Sequence, residues 1–451
     1  MEIKEINTDG LSRTLEVVVG AGELNERFDT RLGELRNTVQ LKGFRKGKVP
    51  VTHLKKVYGK QVMAEILEQT VKETSSKAIQ DREERAAAQP EIKLTEDQSE
   101  IEKVLNGEAD LSYSMTFEVL PKIELTDFSK LELERLVVNV EDEAVEEALG
   151  QLRERATTYE VEEGRVAQSG DEVEIDFVGK IDGEAFEGGT ASGQKVVLGA
   201  GSFIPGFEDG LVGAKQGDEP TIEADFPDDY QAANLAGKTA QFEVLVNSVG
   251  APKVPELDEE FAKGMGVESL EKLTEVLKSQ IGQEYADAAR QKLKRELLDA
   301  LEKAHDFELP PSLIEREFEG IWEQLNQGLK QSGKTFEDEG KTEEEAREEY
   351  QNIAARRVRL GLIIGEIGDA GKIEVTQEEL RGALMQQARS YPGQEKMVYE
   401  FYEKNPNAIA ELRAPIFEDK VVDHILEQAK PSEKSVTKDE LFKLLEEASE
   451  A

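Results

Sequence analysis

The chain has 451 residues, with 56 Lys and Arg against 96 Asp and Glu, for a formal net charge of −40. Its 38% hydrophobic content supplies material for real cores, and its length suggests about three domains. Cysteine is absent, which excludes disulfides, thiolate nucleophiles, iron–sulfur clusters and cysteine-bound zinc, and His53, His305 and His424 stand too far apart to suggest a His-rich metal site.

The opening segment MEIKEINTDG is polar and acidic, with neither a basic n-region nor an apolar h-region. No apolar run near it approaches the ~20 residues that span a bilayer. A soluble, cytoplasmic protein without a membrane partner is expected. The acidic balance argues against bulk affinity for nucleic acid or anionic lipid.

The first predicted helix carries Leu24, Phe28, Leu32, Leu35 and Val39 at helical spacing; the next carries Val62, Ile66, Thr70 and Thr74. Between them the charge inverts. No carboxylate lies between Glu34 and Glu65, whereas Arg36, Lys42, Arg45, Lys46, Lys48, Lys55, Lys56 and Lys60 do. At the centre is Gly43-Phe44-Arg45-Lys46-Gly47-Lys48-Val49-Pro50, punctuated as a loop. A solvated basic loop is the plain reading. Phe44 among cations at a predicted tip favours a docking element. The string is one residue short of a P-loop and lacks its Ser/Thr, so nucleotide binding is rejected and no cofactor is expected.

Residues 112–133 alternate and predict an extended arm; Ala144 to Tyr159 predicts a helix. From Gly164 to Gly250 the texture becomes that of a small β-rich module. Glu174 to Val178 alternates at period two, Asp182-Gly183 signals a hairpin, and Val196 to Leu198 reads as a strand. Phe203 to Leu211 reads as a turn entering a short helix, and Thr221 to Phe226 and Ala240 to Val249 supply further strands. Phe177, Phe186, Phe203, Phe207, Tyr230 and Phe242 concentrate there in a chain that is 6% aromatic. They are either simply a core or a pocket.

After Pro255 the pattern is helical and charged. An amphipathic run extends from Leu270 to Leu301, and a second starts at Ser312, a good N-cap, with Phe318, Ile321, Trp322 and Leu325. A linker over 332–342 precedes a third run to Ile367, and further helices follow Thr376, Gly393 and Pro406. Residues 431–451 read as a solvated tail with one weak helical segment. The helices show no catalytic constellation.

The ordered motifs D-F-V-G, D-G-x-x-F-E, V-L-G-x-G-x-F-I-P-G-F-E-D-G-L, F-P-D-D-Y and Q-F-E-V resemble the FKBP-type peptidyl-prolyl isomerases. The resemblance implies a curved antiparallel sheet over a short helix, with Phe177, Phe186, Phe203, Ile204, Phe207, Tyr230 and Phe242 lining a shallow pocket. Phe207 would be its floor, where stand-alone members usually carry tryptophan. Glu187 would stand where those members carry aspartate, and Gln194 where many carry an aromatic.

Taken whole, with the G-F-R-K-G-K-V-P loop and the F-E-L-P-P-S-L-I-E-R-E-F segment, the chain resembles the bacterial trigger factor family. That implies an α+β multidomain protein: an N-terminal α+β ribosome-docking domain (1–113), a linker arm and helix (114–160), an inserted FKBP-like isomerase domain (161–250), a helical chaperone domain with arms (251–430) and the tail. It also implies an ATP-independent chaperone that docks near the exit tunnel of the large ribosomal subunit, on ribosomal protein and rRNA, through Phe44, Arg45 and Lys46. Nascent and unfolded polypeptides would be its clients, and a homodimer off the ribosome is among the partners implied. Two alternatives stay open: a stand-alone isomerase without ribosome docking, and an RNA-binding protein using the basic loop.

Overall fold

The computed structural model describes residues 1–450 except 40, 42, 43, 45, 46, 83, 96, 228, 229, 231, 233 and 234. In chain order the elements are β1 (Glu2–Asp9), β2 (Ser12–Val19), α1 (Ala21–Thr38), α2 (Val51–Gln80), β3 (Glu91–Leu94), α3 (Gln98–Leu105), β4 (Leu111–Glu118), β5 (Glu134–Val137), α4 (Asp142–Arg155) and β6 (Thr158–Val161). There follow β7 (Glu172–Ile181), β8 (Glu184–Val197), β9 (Thr221–Asp225), β10 (Thr239–Lys253), α5 (Glu259–Gly264), α6 (Leu270–Ala304) and α7 (Pro311–Ser332). The chain closes with α8 (Glu343–Gly371), α9 (Gln377–Arg389), α10 (Glu395–Lys404), α11 (Pro406–Ala429), β11 (Ser432–Ser435) and α12 (Lys438–Glu450). Two compact units emerge: residues 1–135 with 291–432, and residues 136–290 with 433–451.

In the first unit, an antiparallel sheet of order β1-β2-β4-β3 packs its apolar face on α1 and α2. Leu15, Val17 and Val19 alternate inward from β2, and Leu24, Phe28 and Leu32 meet them from α1 at the expected helical spacing. Val62, Ile66, Thr70 and Thr74 form the buried stripe of α2. Thr74 satisfies its hydroxyl on the Thr70 carbonyl and the Tyr113 hydroxyl.

The first third of the expected arm is a central strand: β4 pairs with β2 from Leu111 to Glu118 on one side and with β3 from Tyr113 to Thr116 on the other. A boundary at 113 would cut it. Period-two alternation signals a half-buried strand whether it is extended alone or paired on both edges.

The helical part of this unit is built from hairpins. Helix α7 ends at Gly333 in the left-handed region, and α8 starts with a capping box between Thr342 and Glu345. Phe318 and Trp322 of α7 stack in series with Phe336 of the connecting segment, and the Arg347 guanidinium of α8 lies 4.5 Å from the Trp322 ring centre. Helices α9, α10 and α11 follow, with a second capping box at Thr376 and Glu379. Ser312 is not the N-cap of α7. Pro310 holds that position and has no capping side chain. Glu118 of β4 supplies the missing acceptor, taking the Ser312 backbone N–H at 3.0 Å and its hydroxyl at 2.5 Å.

In the second unit, a five-stranded antiparallel sheet runs β6-β10-β7-β8, with β9 also on β10. Asp182 and Gly183 turn the β7–β8 hairpin, both at positive φ. Helix α4 stops at Arg155, and Thr158 and Tyr159, expected to be helical, belong to β6.

The C-terminal segment is not a solvated tail. Val436 donates to the Val137 carbonyl, and Leu441 is fully buried with Leu136, Tyr285 and Ala289. Leu441, Leu444 and Leu445 give α12 a short apolar face, and burying it anchors the chain end.

Candidate active site

The site is assembled by the β-rich module. Val173, Ile175 and Phe177 alternate inward along β7, and Phe242 and Val244 do so along β10. In register, Phe242 stands opposite Gly179 of β7. A Cβ at Gly179 would come within 2.7 Å of both the Phe186 and Phe242 rings, and one at Gly189 within 2.7 Å of Phe186. These two glycines make room for the Phe186 side chain, which explains the glycine of the D-F-V-G motif.

The loop after β8 brings Phe203, Ile204 and Phe207, and a single turn of 3₁₀ helix, Asp209–Leu211, follows. Phe207 is 1% exposed and forms the floor. It stacks on Phe203 with ring centres 4.9 Å apart and meets Phe177 and Phe242 edge-on at 5.7 and 5.0 Å. Phe186 meets Phe226 and Phe242 edge-on, and Phe226 contacts Tyr230.

The structure brings Phe177, Phe186, Glu187, Phe203, Ile204, Phe207, Tyr230 and Phe242 around one cavity of about 640 Å³. Glu187 is the single charged group among the described lining residues, and it forms no ion pair among them. Gln194 does not line this cavity; it is exposed on β8.

Two contributors were not singled out in the sequence. Phe226 lines the wall, and the F-P-D-D-Y motif already contained it. Glu208 lies beneath the loop, almost fully buried. Its carboxylate accepts the backbone N–H groups of Gly199, Gly201, Ser202 and Phe203 at 2.9, 3.0, 2.7 and 3.1 Å. Burial pushes its carboxyl up, but the four amides outweigh burial and hold it below its ordinary value. Gly199, Gly201 and Gly206 all sit at positive φ, so this loop cannot satisfy its amides in a helix or sheet. The available signal was a carboxylate directly after the floor residue in a glycine-rich loop. The neighbouring Ile204 N–H has no acceptor among the described residues.

The basic loop lies elsewhere, in the first unit. Val49 at its end is fully buried, while Phe44 is 38% exposed. Phe44 is not bare, because its ring leans on that of exposed His53 with centres 5.2 Å apart. Arg45 and Lys46 lie outside the described residues. A third surface lies along α9, α10 and the turn between them, where Met385, Tyr391, Met397, Tyr399 and Phe401 are all exposed. A groove of about 680 Å³ adjoins it, where Leu380, Leu384, Tyr399 and Ile409 line the wall together with the charged Glu378, Arg381 and Glu403.

A ring-lined cavity between an antiparallel sheet and a single helical turn defines a peptidyl-prolyl isomerase of FKBP type, carried here within a longer helical chain. The model of the FKBP-type peptidyl-prolyl cis-trans isomerase family matches residues 163–247. Those of the bacterial trigger factor protein and of its C-terminus match residues 1–152 and 269–427. Trigger factors of Hyphomonas neptunium and Methylobacterium radiotolerans are each 49% identical over 98% of this chain, covering 99% and 94% of their own lengths. That of Parvibaculum lavamentivorans is 51% identical over 98% of this chain and 86% of its own. A solved structure of the trigger factor chaperone, described as showing promiscuous substrate recognition in folding and assembly, aligns over 95% of this chain and 100% of its own, with a TM-score of 0.55 and 24% identity, which speaks to fold.

The chain belongs to the bacterial trigger factor family. It is a ribosome-associated chaperone that acts on unfolded polypeptides and carries FKBP-type peptidyl-prolyl isomerase activity. A family match extending over both flanks of the isomerase module favours neither a stand-alone isomerase nor an RNA reader. No described helix is long and apolar enough to cross a membrane.

Proposed function

We propose that the work is divided along the chain. The N-terminal domain docks, residues 161–250 isomerise, and the helices of 251–430 hold clients in the cytoplasm. The observation that carries the isomerase assignment is the convergence of seven aromatic rings and Ile204 on one cavity, with Glu187 the single carboxylate among its described lining residues.

Rotation about an X–Pro bond is slow because amide resonance sets a barrier of about 18–20 kcal/mol. The planar amide is more dipolar than the twisted one, so a dry aromatic pocket favours the twisted form relative to water. Phe177, Phe186, Phe203, Phe207, Tyr230 and Phe242 grip the proline ring. The Ile204 N–H holds a substrate carbonyl, and Glu187 contacts the chain at the rim. Glu208 touches no substrate; it fixes the loop that presents Phe203 and Ile204.

Phe44, Arg45 and Lys46 make the ribosome contact beside the exit tunnel, on ribosomal protein and rRNA. A cationic tip seeks that anionic surface, and the acidic body is repelled from it. A homodimer off the ribosome belongs to the same proposal. The exposed methionines and aromatics of α9 and α10 support client holding, since such side chains adapt to many sequences.

The decisive test of the pocket is Phe207→Ala in the full chain, with a proline-peptide exchange assay and circular dichroism. A folded variant with the wild-type rate overturns the assignment. For docking, Phe44, Arg45 and Lys46 changed together to Ala should abolish co-sedimentation with ribosomes, and wild-type binding should weaken with salt. Undiminished co-sedimentation of the triple variant refutes it.

A further inference from the structure

We propose that the outer edge of β3 is a second polypeptide-binding site, which takes an extended, apolar client segment as a fifth strand of the N-terminal sheet. This goes beyond isomerisation and the helical surfaces, and it rests on the chain being a chaperone of unfolded polypeptides.

The sheet order leaves β3 paired only on its β4 side among the described residues. A strand edge offers backbone donors and acceptors at the spacing of another strand, so its fitting partner is an extended chain. Both edges carry charge, Glu2, Lys4, Glu5 and Asp9 on β1 and Glu91 and Lys93 on β3, so what sets β3 apart is the groove beside it. On β3, Ile92 and Leu94 share one face and open onto a cavity of about 1150 Å³, walled by α2, α3 and the sheet. Leu67 and Val71, one turn apart on α2, form its far side. Leu94 at its mouth is 54% exposed and Ile101 39%. At about 3.3 Å per residue, β3 spans roughly four residues of an added strand, two of whose side chains enter the groove.

Charge narrows the occupant. In a chain of net charge −40, the described groove wall carries both signs, with Glu68, Glu100 and Asp110 against Lys103 and, from the other face of β3, Lys93. Lys93 is paired with Glu91, and Asp110 accepts the Ala21 N–H. A charged occupant of either sign would meet its own sign there. An uncharged apolar segment meets neither, and such segments are what an unfolded chain exposes.

The test uses the full chain and a capped hexapeptide of alternating Val and Thr. The peptide lacks proline, so the isomerase pocket is not its target. Amide hydrogen exchange is read at 91–94 and, separately, at 395–404. Saturating peptide should slow exchange of the outward β3 amides by about tenfold or more. The same peptide N-methylated at alternate residues should not. Leu94→Lys, at an exposed position, should abolish protection at 91–94 and leave any protection at 395–404. Peptide protection at 395–404 with none at 91–94 would overturn this site while sparing the chaperone reading. Equal protection by both peptides would overturn strand addition. Protection at 91–94 that rises with protein concentration in the absence of peptide would assign the edge to a second copy instead.

Discussion

In the isomerase module Phe177, Phe186, Phe203, Phe207, Phe226, Tyr230 and Phe242 are each in ring contact with at least one of the others. Along α9, α10 and the turn between them, Met385, Tyr391, Met397, Tyr399 and Phe401 are instead exposed. The same residue types serve two ends. A pocket that must favour one twisted geometry fixes its apolar groups before substrate arrives, which removes their ordering cost from each turnover. A surface that must hold unrelated chains leaves its apolar groups wet, so burial is gained only on binding, and flexible methionines let the contact re-form for each client.

The largest effect that would break this comparison is expected from Phe207→Ala. Removing a fully buried ring should cost about 3–5 kcal/mol of module stability, read by denaturant unfolding. The isomerase rate should fall by about tenfold or more, while suppression of client aggregation should stay at the wild-type level.

Next comes Glu208→Gln, at roughly 2–4 kcal/mol, because an amide presents one oxygen and two donors to a site that needs four acceptances. The folded carboxyl titrates below its ordinary value, so the wild-type module should keep this stabilisation above the unfolded value near ~4.3 and lose it as pH falls through the folded one. A pH series of unfolding midpoints should show that acid loss in wild type and a flatter course in the variant.

A smaller effect sharpens the comparison from the helical side. Glu118→Ala removes the borrowed cap of α7 and should cost about 1 kcal/mol, seen as faster hydrogen exchange at the start of that helix. The smallest stability effect, within about 0.5 kcal/mol, is expected for Met397→Ser with Phe401→Ser, since both side chains are more than half exposed. Aggregation suppression should nonetheless weaken, with prolyl exchange unchanged.

The ring positions were legible because five motifs in order tie them to one fold, and the glycine of D-F-V-G now has a steric reason. Glu208 was not legible as a site residue, because its partners are backbone amides that converge only when the loop closes. The burial of Leu441 was hidden in another way: its apolar face is barely one turn long, and its partners Leu136, Tyr285 and Ala289 are more than a hundred residues away in sequence. Ser312 looked like a cap because its residue type suits one, whereas the acceptor comes from Glu118 of a distant strand.

The central claim is that isomerisation and holding reside in separate parts of the chain. In the β6–β10 pairing Thr158 stands opposite Lys253, so the two ends of the isomerase module are neighbours and residue 157 can be joined to residue 254 by a short link. Aggregation of an unfolded client, followed by light scattering without ATP, should be suppressed by that shortened chain and hardly at all by the isolated module. Full protection by the module together with none from the shortened chain would contradict the account, because holding would then belong to the pocket.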